Sequence, residues 1–233
     1  MKISVIVPTY QHANVIPECL NNIFTQSKKP HEVIVVNDGS TDNTAEVLRD
    51  FQDRITLINQ ANQGSNVARN RGFEASSGEA VIFCDSDVIM KRNMLEKMTD
   101  ALRFTPEADY AYSDFKFGFK AFPSKPFDPD LLKTQNYIHT TSLIKRDAFP
   151  GFDPNIKRLQ DWDLWLTMLE NGKRGVYIPK RLFRVQTDSA RESISSWVPS
   201  FLYKIPWPIL GYTPKAIEDY ERAREVIVKK HDL

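Results

Sequence analysis

The sequence predicts an α/β fold built on a mixed, predominantly parallel sheet flanked by helices, and three observations carry that expectation. Short apolar runs alternate with segments of helical period through the first hundred residues. The connections between consecutive strands are too long for hairpins, which calls for crossovers and parallel strands. Polar turns containing Thr9, Asp38 and Asp85 each follow an apolar run, so one crevice beyond the carboxyl ends of the strands can hold all three.

Residues 3–7 are apolar apart from Ser4, the pattern of a strand buried on both faces, and Pro8 is expected to stop it. Val15, Ile16, Cys19, Leu20, Ile23 and Phe24 recur at helical spacing, with Pro17 tolerated in the first turn. Residues 32–36 form the second strand. The turn that follows leads into a helix carrying Ala45, Val47, Leu48 and Phe51, capped by Asp42 or Thr41. A third strand at about 55–58 precedes Asn62-Gln63-Gly64-Ser65, which opens a helix through Ala68, Arg69, Phe73 and Ala75. Ser77-Gly78 ends that helix, and the fourth strand runs to Cys84. Beyond a helix at 94–104 the rhythm changes. Aromatic-rich segments at 110–115 and 117–122, with Gly118 between them, predict mixed-sheet strands, and 141–144 predicts another. Residues 161–169 read as a helix with Leu164, Trp165, Met168 and Leu169 inward, followed by Gly172 and a strand at 175–178.

A chain of 233 residues buries a sizeable core, and this one divides into a catalytic-type body over 1–190 and an aromatic and helical extension over 191–233. Its 31 basic and 30 acidic side chains leave a formal charge of +1 with no long block of either sign. A broad polyanion-binding surface, and nucleic acid as a partner, are therefore not expected. Cys19 and Cys84 lack metal-type spacing and sit in apolar segments, as reduced core thiols do. Residues 1–8 read as a strand rather than a signal peptide, and no run approaches the roughly 20 apolar residues that span a bilayer. The expected compartment is the cytoplasm, with peripheral contact at the inner face of the membrane.

Asp85-Ser86-Asp87 delivers two carboxylates at the end of a buried strand. Adjacent carboxylates repel unless something compensates them; a hard cation such as Mg²⁺ or Mn²⁺ would do so and bridge a diphosphate. A solvated loop or helix cap is the other reading. Asp38 is either an acceptor for a nucleobase edge or a plain turn residue. Arg69 either touches a nucleotide or pairs with a carboxylate. Asp161 and Asp163, two positions apart on a helix, diverge by roughly 200° and do not share one task. Asp161 is the candidate general base, with capping as the alternative, and Asp163 caps or pairs nearby. His139 is either a metal or phosphate contact or a packed ring with one satisfied nitrogen. Neither a dinucleotide-type glycine fingerprint nor a phosphate-loop lysine signature follows these strands.

In chain order, Val7-Pro8-Thr9-Tyr10, Asn37-Asp38-Gly39-Ser40, Asn62 with Gly64, Ala68-Arg69-Asn70, Asp85 with Asp87, and Gln160-Asp161-Trp162-Asp163 form a set. That ordered set resembles family 2 of the inverting glycosyltransferases, whose fold is the Rossmann-like GT-A fold, and the resemblance runs from residue 2 to about 185. It implies a nucleotide-sugar donor, UDP-linked, and an acceptor hydroxyl on a glycan or lipid-linked molecule. It places Thr9, Asp38 and Arg69 at the nucleotide, Asp85 near ribose and metal, Asp87 as the more direct ligand of Mn²⁺ or Mg²⁺, and Asp161 as catalytic base. Two positions depart from the family pattern. Gln160 stands where Glu is common, and Gln186 stands where a His often contacts metal or diphosphate. Those departures motivate the alternative of an inactive carbohydrate- or nucleotide-binding protein. A nucleotidyltransferase is a third possibility, one that should lack the Asp161-Trp162 arrangement.

Trp197, Phe201, Tyr203, Trp207 and Tyr212 lie in a stretch interrupted by Pro199, Pro206 and Pro208. It reads as a tail folded on the body, or as an acceptor wall or shallow membrane contact. A terminal helix with Ile217, Tyr220, Ile227 and Val228 is expected to dock on the body.

Overall fold

A computed structural model describes residues 1–186, 207 and 213–233. The first half runs β1 (Ile3–Thr9), α1 (Ile16–Phe24), β2 (Glu32–Asp38), α2 (Thr44–Arg49), β3 (Thr56–Gln60), α3 (Ser65–Glu74) and β4 (Ala80–Phe83). The second continues through β5 (Val88–Met90), α4 (Met94–Phe104), β6 (Tyr110–Phe117), β7 (Lys120–Phe122), α5 (Pro129–Thr134), β8 (Leu143–Lys145), α6 (Gln160–Glu170), β9 (Gly175–Val185) and α7 (Lys215–Lys230). Among the described residues the strands form one sheet in the order β3-β2-β1-β4-β8-β6-β9-β5, with β7 on β6. It is parallel from β3 to β4 and between β6 and β9, and antiparallel on both sides of β8.

Pro8 does not end β1, contrary to the expectation. The carbonyls of Lys2 and Ile6 accept from Ala80 and Cys84 of the β4 side, and that of Ile3 accepts from His31 on the β2 side. Even-numbered residues of β1 thus direct their ladder groups toward β4, whose register stops at Ile6 opposite Phe83. The N–H that Pro8 lacks would point at a neighbour that has already turned away, so pairing with β2 continues to Thr9 opposite Asn37. The proline ends one ladder and leaves the other intact.

Alternation along β1 divides the core. Ile3, Val5 and Val7 pack with α1 and α4, while Ile6 joins the opposite face, where Tyr110, Tyr112, Trp162 and Trp165 are buried. Helix α3 covers part of that second face closely. A Cβ on Gly72 would stand 2.4 Å from Ile6 Cγ2, so the helix approaches the sheet only because glycine is there.

Strand β9 is longer than the predicted 175–178. Its pairing with β6 shifts between Ile178 and Arg181, and Pro179 falls in that irregularity, where a missing N–H breaks no bond of the ladder. The strand then reaches Val185, opposite Val88, which brings Gln186 to Asp87: the Gln186 N–H donates to the Asp87 carbonyl at 2.8 Å.

Helix α7 docks on the second face through buried Ile227, with Val228 packed against the same cluster, and Ile217 is buried as well. Polar contacts tie it to the α6 region: Arg158 with Asp219 at 3.4 Å, Lys230 with Asp153 and Asp163 at 2.8 Å each, and His231 with Asp163 at 2.9 Å and Glu170 at 2.6 Å. Of the aromatic stretch, Trp197, Phe201, Tyr203 and Tyr212 lie outside the described residues. No described helix is long and apolar enough to cross a membrane.

Candidate active site

β2, β1 and β4 are neighbouring parallel strands whose carboxyl ends lie side by side, and sequence-predicted residues stand at each of them. Thr9 closes β1; its side chain is buried and Oγ1 has no hydrogen-bond partner among the described residues. A buried hydroxyl left unpaired is costly, and this one stands at the end of a strand. Asp38 closes β2 and is almost fully buried. Its Oδ1 accepts from Gln60 Nε2 at 2.7 Å and the Gln63 N–H at 2.9 Å, and its Oδ2 accepts from the Gly64 N–H at 2.8 Å. Three of about four lone-pair positions are filled, which anchors the start of α3 and leaves one acceptor position open. Asp42 accepts from the Thr44 N–H at 3.0 Å, as a residue heading α2 is expected to do.

Arg69, on α3, is turned inward. Its Nη2 donates to Asp85 Oδ1 at 2.8 Å, and its Nη1 to Gln160 Oε1 at 3.1 Å and Asn66 Oδ1 at 3.1 Å. The guanidinium joins the end of β4 to the start of α6, two segments that are distant in sequence. Burial alone would raise the Asp85 pKa, yet the Arg69 charge and hydrogen bond hold it below the ordinary carboxylate value. Asp87 has no such partner. Burial first and the Asp85 charge second push its pKa from an ordinary 3.8 up to about 7.

Asp161 sits in the first turn of α6, half-buried, with Oδ1 accepting from the Trp162 N–H at 3.0 Å. Two indoles fix the helix: Trp162 Nε1 donates to the Leu132 carbonyl at 2.7 Å and Trp165 Nε1 to the Ile138 carbonyl at 2.8 Å. The chain enters this helix through Leu159 in the left-handed region, φ 57° and ψ 32°, a strained conformation for leucine that sets the direction of the first turn. Asp163 points the other way, buried against Lys230 and His231. The two carboxylates have different surroundings.

Hydrogen bonds therefore run from Asp38 to the Gly64 N–H at the start of α3, and from α3 through Arg69 to both Asp85 and Gln160. Asp161 is the next residue along. Three contacts near this framework had no signal in the sequence. His12 Nδ1 meets Ser86 Oγ, joining the loop after β1 to the residue between the two aspartates. Gln11 Oε1 accepts from the Thr41 and Asp42 N–H groups at 3.0 and 2.9 Å. Gln186 Nε2 donates to Glu18, which Arg184 also contacts at 3.2 Å. None of these partners lies within a helical turn or on a paired strand, so periodicity cannot find them.

The sequence profile described as "Glycosyl transferase family 2" matches residues 4–150. The chain belongs to that family. TuaG of Bacillus subtilis (strain 168), provisionally described as a teichuronic acid biosynthesis glycosyltransferase, is 32% identical over 186 residues, 73% of either chain. Among solved structures, S. aureus TarS 1–349 in complex with UDP-GlcNAc matches with a TM-score of 0.67 at 24% identity, over 88% of this chain and 64% of that one. The mannosyltransferase PcManGT from Pyrobaculum calidifontis, in complex with GDP-Man and Mn²⁺, gives 0.65 at 22% identity, over 81% and 58%. At such identities the likeness establishes architecture, and the architecture is GT-A-like. Three other curated relatives are much longer, the chain spanning 33%, 14% and 35% of their lengths. The family 2 profile ends before Asp161, so the position of that residue rests on the geometry of α6.

Proposed function

We propose that this family 2 chain transfers a sugar, with inversion at the anomeric carbon, from a nucleotide-sugar donor to a hydroxyl of a glycan or lipid-linked acceptor. The observation that carries the reading is the hydrogen-bonded path from Asp38 through α3 and Arg69 to Asp85 and Gln160, beside Asp161. It gives the donor end and the base end of a displacement one framework. That the TarS and PcManGT structures hold UDP-GlcNAc and GDP-Man supports the donor class, and the UDP form is the reading adopted. The catalytic body is taken as residues 1–190.

In this reading the unpaired Thr9 hydroxyl and the remaining acceptor position of Asp38 meet the nucleotide, and Arg69 acts on it by holding Asp85 in place. Among the described residues no group of three or more His, Cys, Asp or Glu gathers for a metal. Asp85 and Asp87 nevertheless fit Mn²⁺ or Mg²⁺ on a nucleotide, because such a cation takes one or two carboxylates and completes its shell with phosphate and water. The raised pKa of Asp87 marks a carboxylate lacking a cationic partner. When bound, the ion would stabilise charge on the departing diphosphate. Asp161 presents Oδ2, the oxygen not engaged by Trp162, to the acceptor hydroxyl and removes its proton as it attacks.

A panel of UDP- and GDP-sugars with Mn²⁺ or Mg²⁺, scored for both nucleotide release and transferred sugar, tests the proposal. Asp161→Asn is expected to lower transfer by about 100-fold or more while retaining nucleotide binding. Undiminished transfer by that variant would reject the base assignment. Nucleotide binding without turnover across donors and acceptors would favour a binding protein.

A further inference from the structure

His139 stands on the segment leading into β8, and its ring is clamped. The Thr141 N–H donates to Nδ1 at 3.0 Å, and the ring packs against Phe115 at 4.7 Å and Phe183 at 5.0 Å between centroids. The backbone on either side is held as well, the Ile138 carbonyl by Trp165 and the His139 carbonyl by Ser142 Oγ at 2.7 Å. With Nδ1 fixed as acceptor, the neutral ring carries its proton on Nε2. The side chain is half-buried, and Nε2 has no partner among the described residues. Strand β8 pairs antiparallel with β4, Ile82 opposite Leu143, so the residues just before β8 run past the carboxyl end of β4, where Asp85 stands, and the Trp165 bond to the Ile138 carbonyl ties them to α6, which carries Asp161.

We infer that His139 determines donor specificity by donating a hydrogen bond from Nε2–H to a hydroxyl group of the sugar being transferred. The inference rests on the nucleotide-sugar reading of the crevice. Its chemistry excludes the other uses of a histidine. The Nδ1 lone pair is taken by Thr141 and Nε2 carries the proton, so the ring offers no electron pair to a metal. A neutral imidazole brings no charge to a phosphate either. A single, fixed, uncharged donor matches an uncharged hydroxyl, and the hexose of a bound donor has to lie between its diphosphate and the attacking acceptor.

Two substitutions separate the distal donor from the packing. His139→Asn keeps a side-chain oxygen near Nδ1 for the Thr141 N–H and removes the donor at Nε2; His139→Gln places an amide N–H near Nε2. Calorimetric titration with Mn²⁺ compares UDP, UDP-glucose and UDP-GlcNAc, and GDP with GDP-mannose. His139→Asn is expected to weaken the best-bound nucleotide-sugar by about three- to tenfold, the loss of one hydrogen bond, with its parent diphosphate changed by less than about twofold. His139→Gln is expected to recover part of the loss. Equal weakening of diphosphate and nucleotide-sugar, or no weakening of either, overturns the inference while the nucleotide reading stands. A wild-type chain that binds none of the five probes overturns both.

Discussion

Replacing His231 with alanine tests how α7 is held to the helix that carries Asp161. The imidazole is buried, with Nε2 2.9 Å from Asp163 Oδ1 and Nδ1 2.6 Å from Glu170 Oε1. Only the Asp163 side counts heavily, since that carboxylate is 4% exposed and Glu170 is 54% exposed. A charge-assisted bond to a buried carboxylate is worth about 1.5–3 kcal/mol, whereas a surface pair adds under about 1. Lys230 Nζ, 2.8 Å from the same oxygen, remains after the substitution and keeps the loss below the 3–5 kcal/mol typical of an orphaned buried charge. The expected destabilisation at pH 6 is about 2–3 kcal/mol, or roughly 4–12 °C in Tm for a chain of this size. Burial opposes the charged ring, but the hydrogen bonds to Asp163 and Glu170 raise its pKa above the ordinary 6.5. The folded state therefore holds the proton more tightly than the unfolded chain. The stabilisation is complete below about 6.5 and declines as pH rises through the folded value. Above it, a neutral imidazole has one N–H and serves one carboxylate, so the gap between wild type and variant should shrink by about 1 kcal/mol at pH 9. Denaturant titrations at pH 6 and pH 9 measure both gaps. A gap that is constant or larger at pH 9 refutes the assignment of a protonated, bridging His231.

Asp87→Asn probes the same pH direction at a group whose charge destabilises the fold. Its folded pKa of about 7 exceeds the ordinary 3.8, so wild-type stability should fall as pH climbs from about 4 to about 7 in the absence of divalent cations. That shift corresponds to at most about 4 kcal/mol, and partial exposure reduces the expectation to about 1–2. The variant should lose that slope and be the more stable protein at pH 8. Thermal melts at pH 5 and pH 8 decide it, and a wild type that gains on the variant with rising pH would contradict the repulsion. Arg69→Ala leaves Asp85 without its cation and breaks the link to Gln160; about 2–3 kcal/mol should be lost, with weaker nucleotide binding. Denaturation and UDP titration together check this, and unchanged stability would mean that the bridge does not hold the crevice.

The first four strands, α1, α3 and α4 were legible because burial on one or both faces writes a period into the sequence, and the expected bounds 94–104 for α4 coincide with those observed. The convergence of Thr9, Asp38 and Asp85 followed from parallel topology alone. What escaped depends on partners. Whether Pro8 stops a strand turns on which neighbour its missing N–H would have faced, a fact about the path of β4. Strand β5 is three residues long, too short to show a period, and exists because β9 lies beside it. Helix α5 does carry a local signal, since Asp128 caps it and Pro129 occupies its first turn. The environment of Arg69 was out of reach because its partners are 16 and 91 positions away.

The same bridge gives the departure at Gln160 a physical meaning. A glutamate there would offer Arg69 a second carboxylate. The amide leaves the guanidinium with Asp85 as its only charged partner among the described residues. Arg69 is then committed to Asp85, while Asp87 and Asp161 contribute further negative charge along the crevice. A bare diphosphate entering that field would be repelled. Asp87 relieves part of it by holding a proton up to about pH 7, and a divalent cation arriving with the nucleotide would relieve more, because it replaces one positive charge by two. An unpaired carboxylate at the end of β4 is costly in this structure, and a cation bound there would remove that cost. An amide at 160 carries less negative charge next to Asp161 than a glutamate would and keeps the bridge, since its oxygen accepts from Arg69 at 3.1 Å.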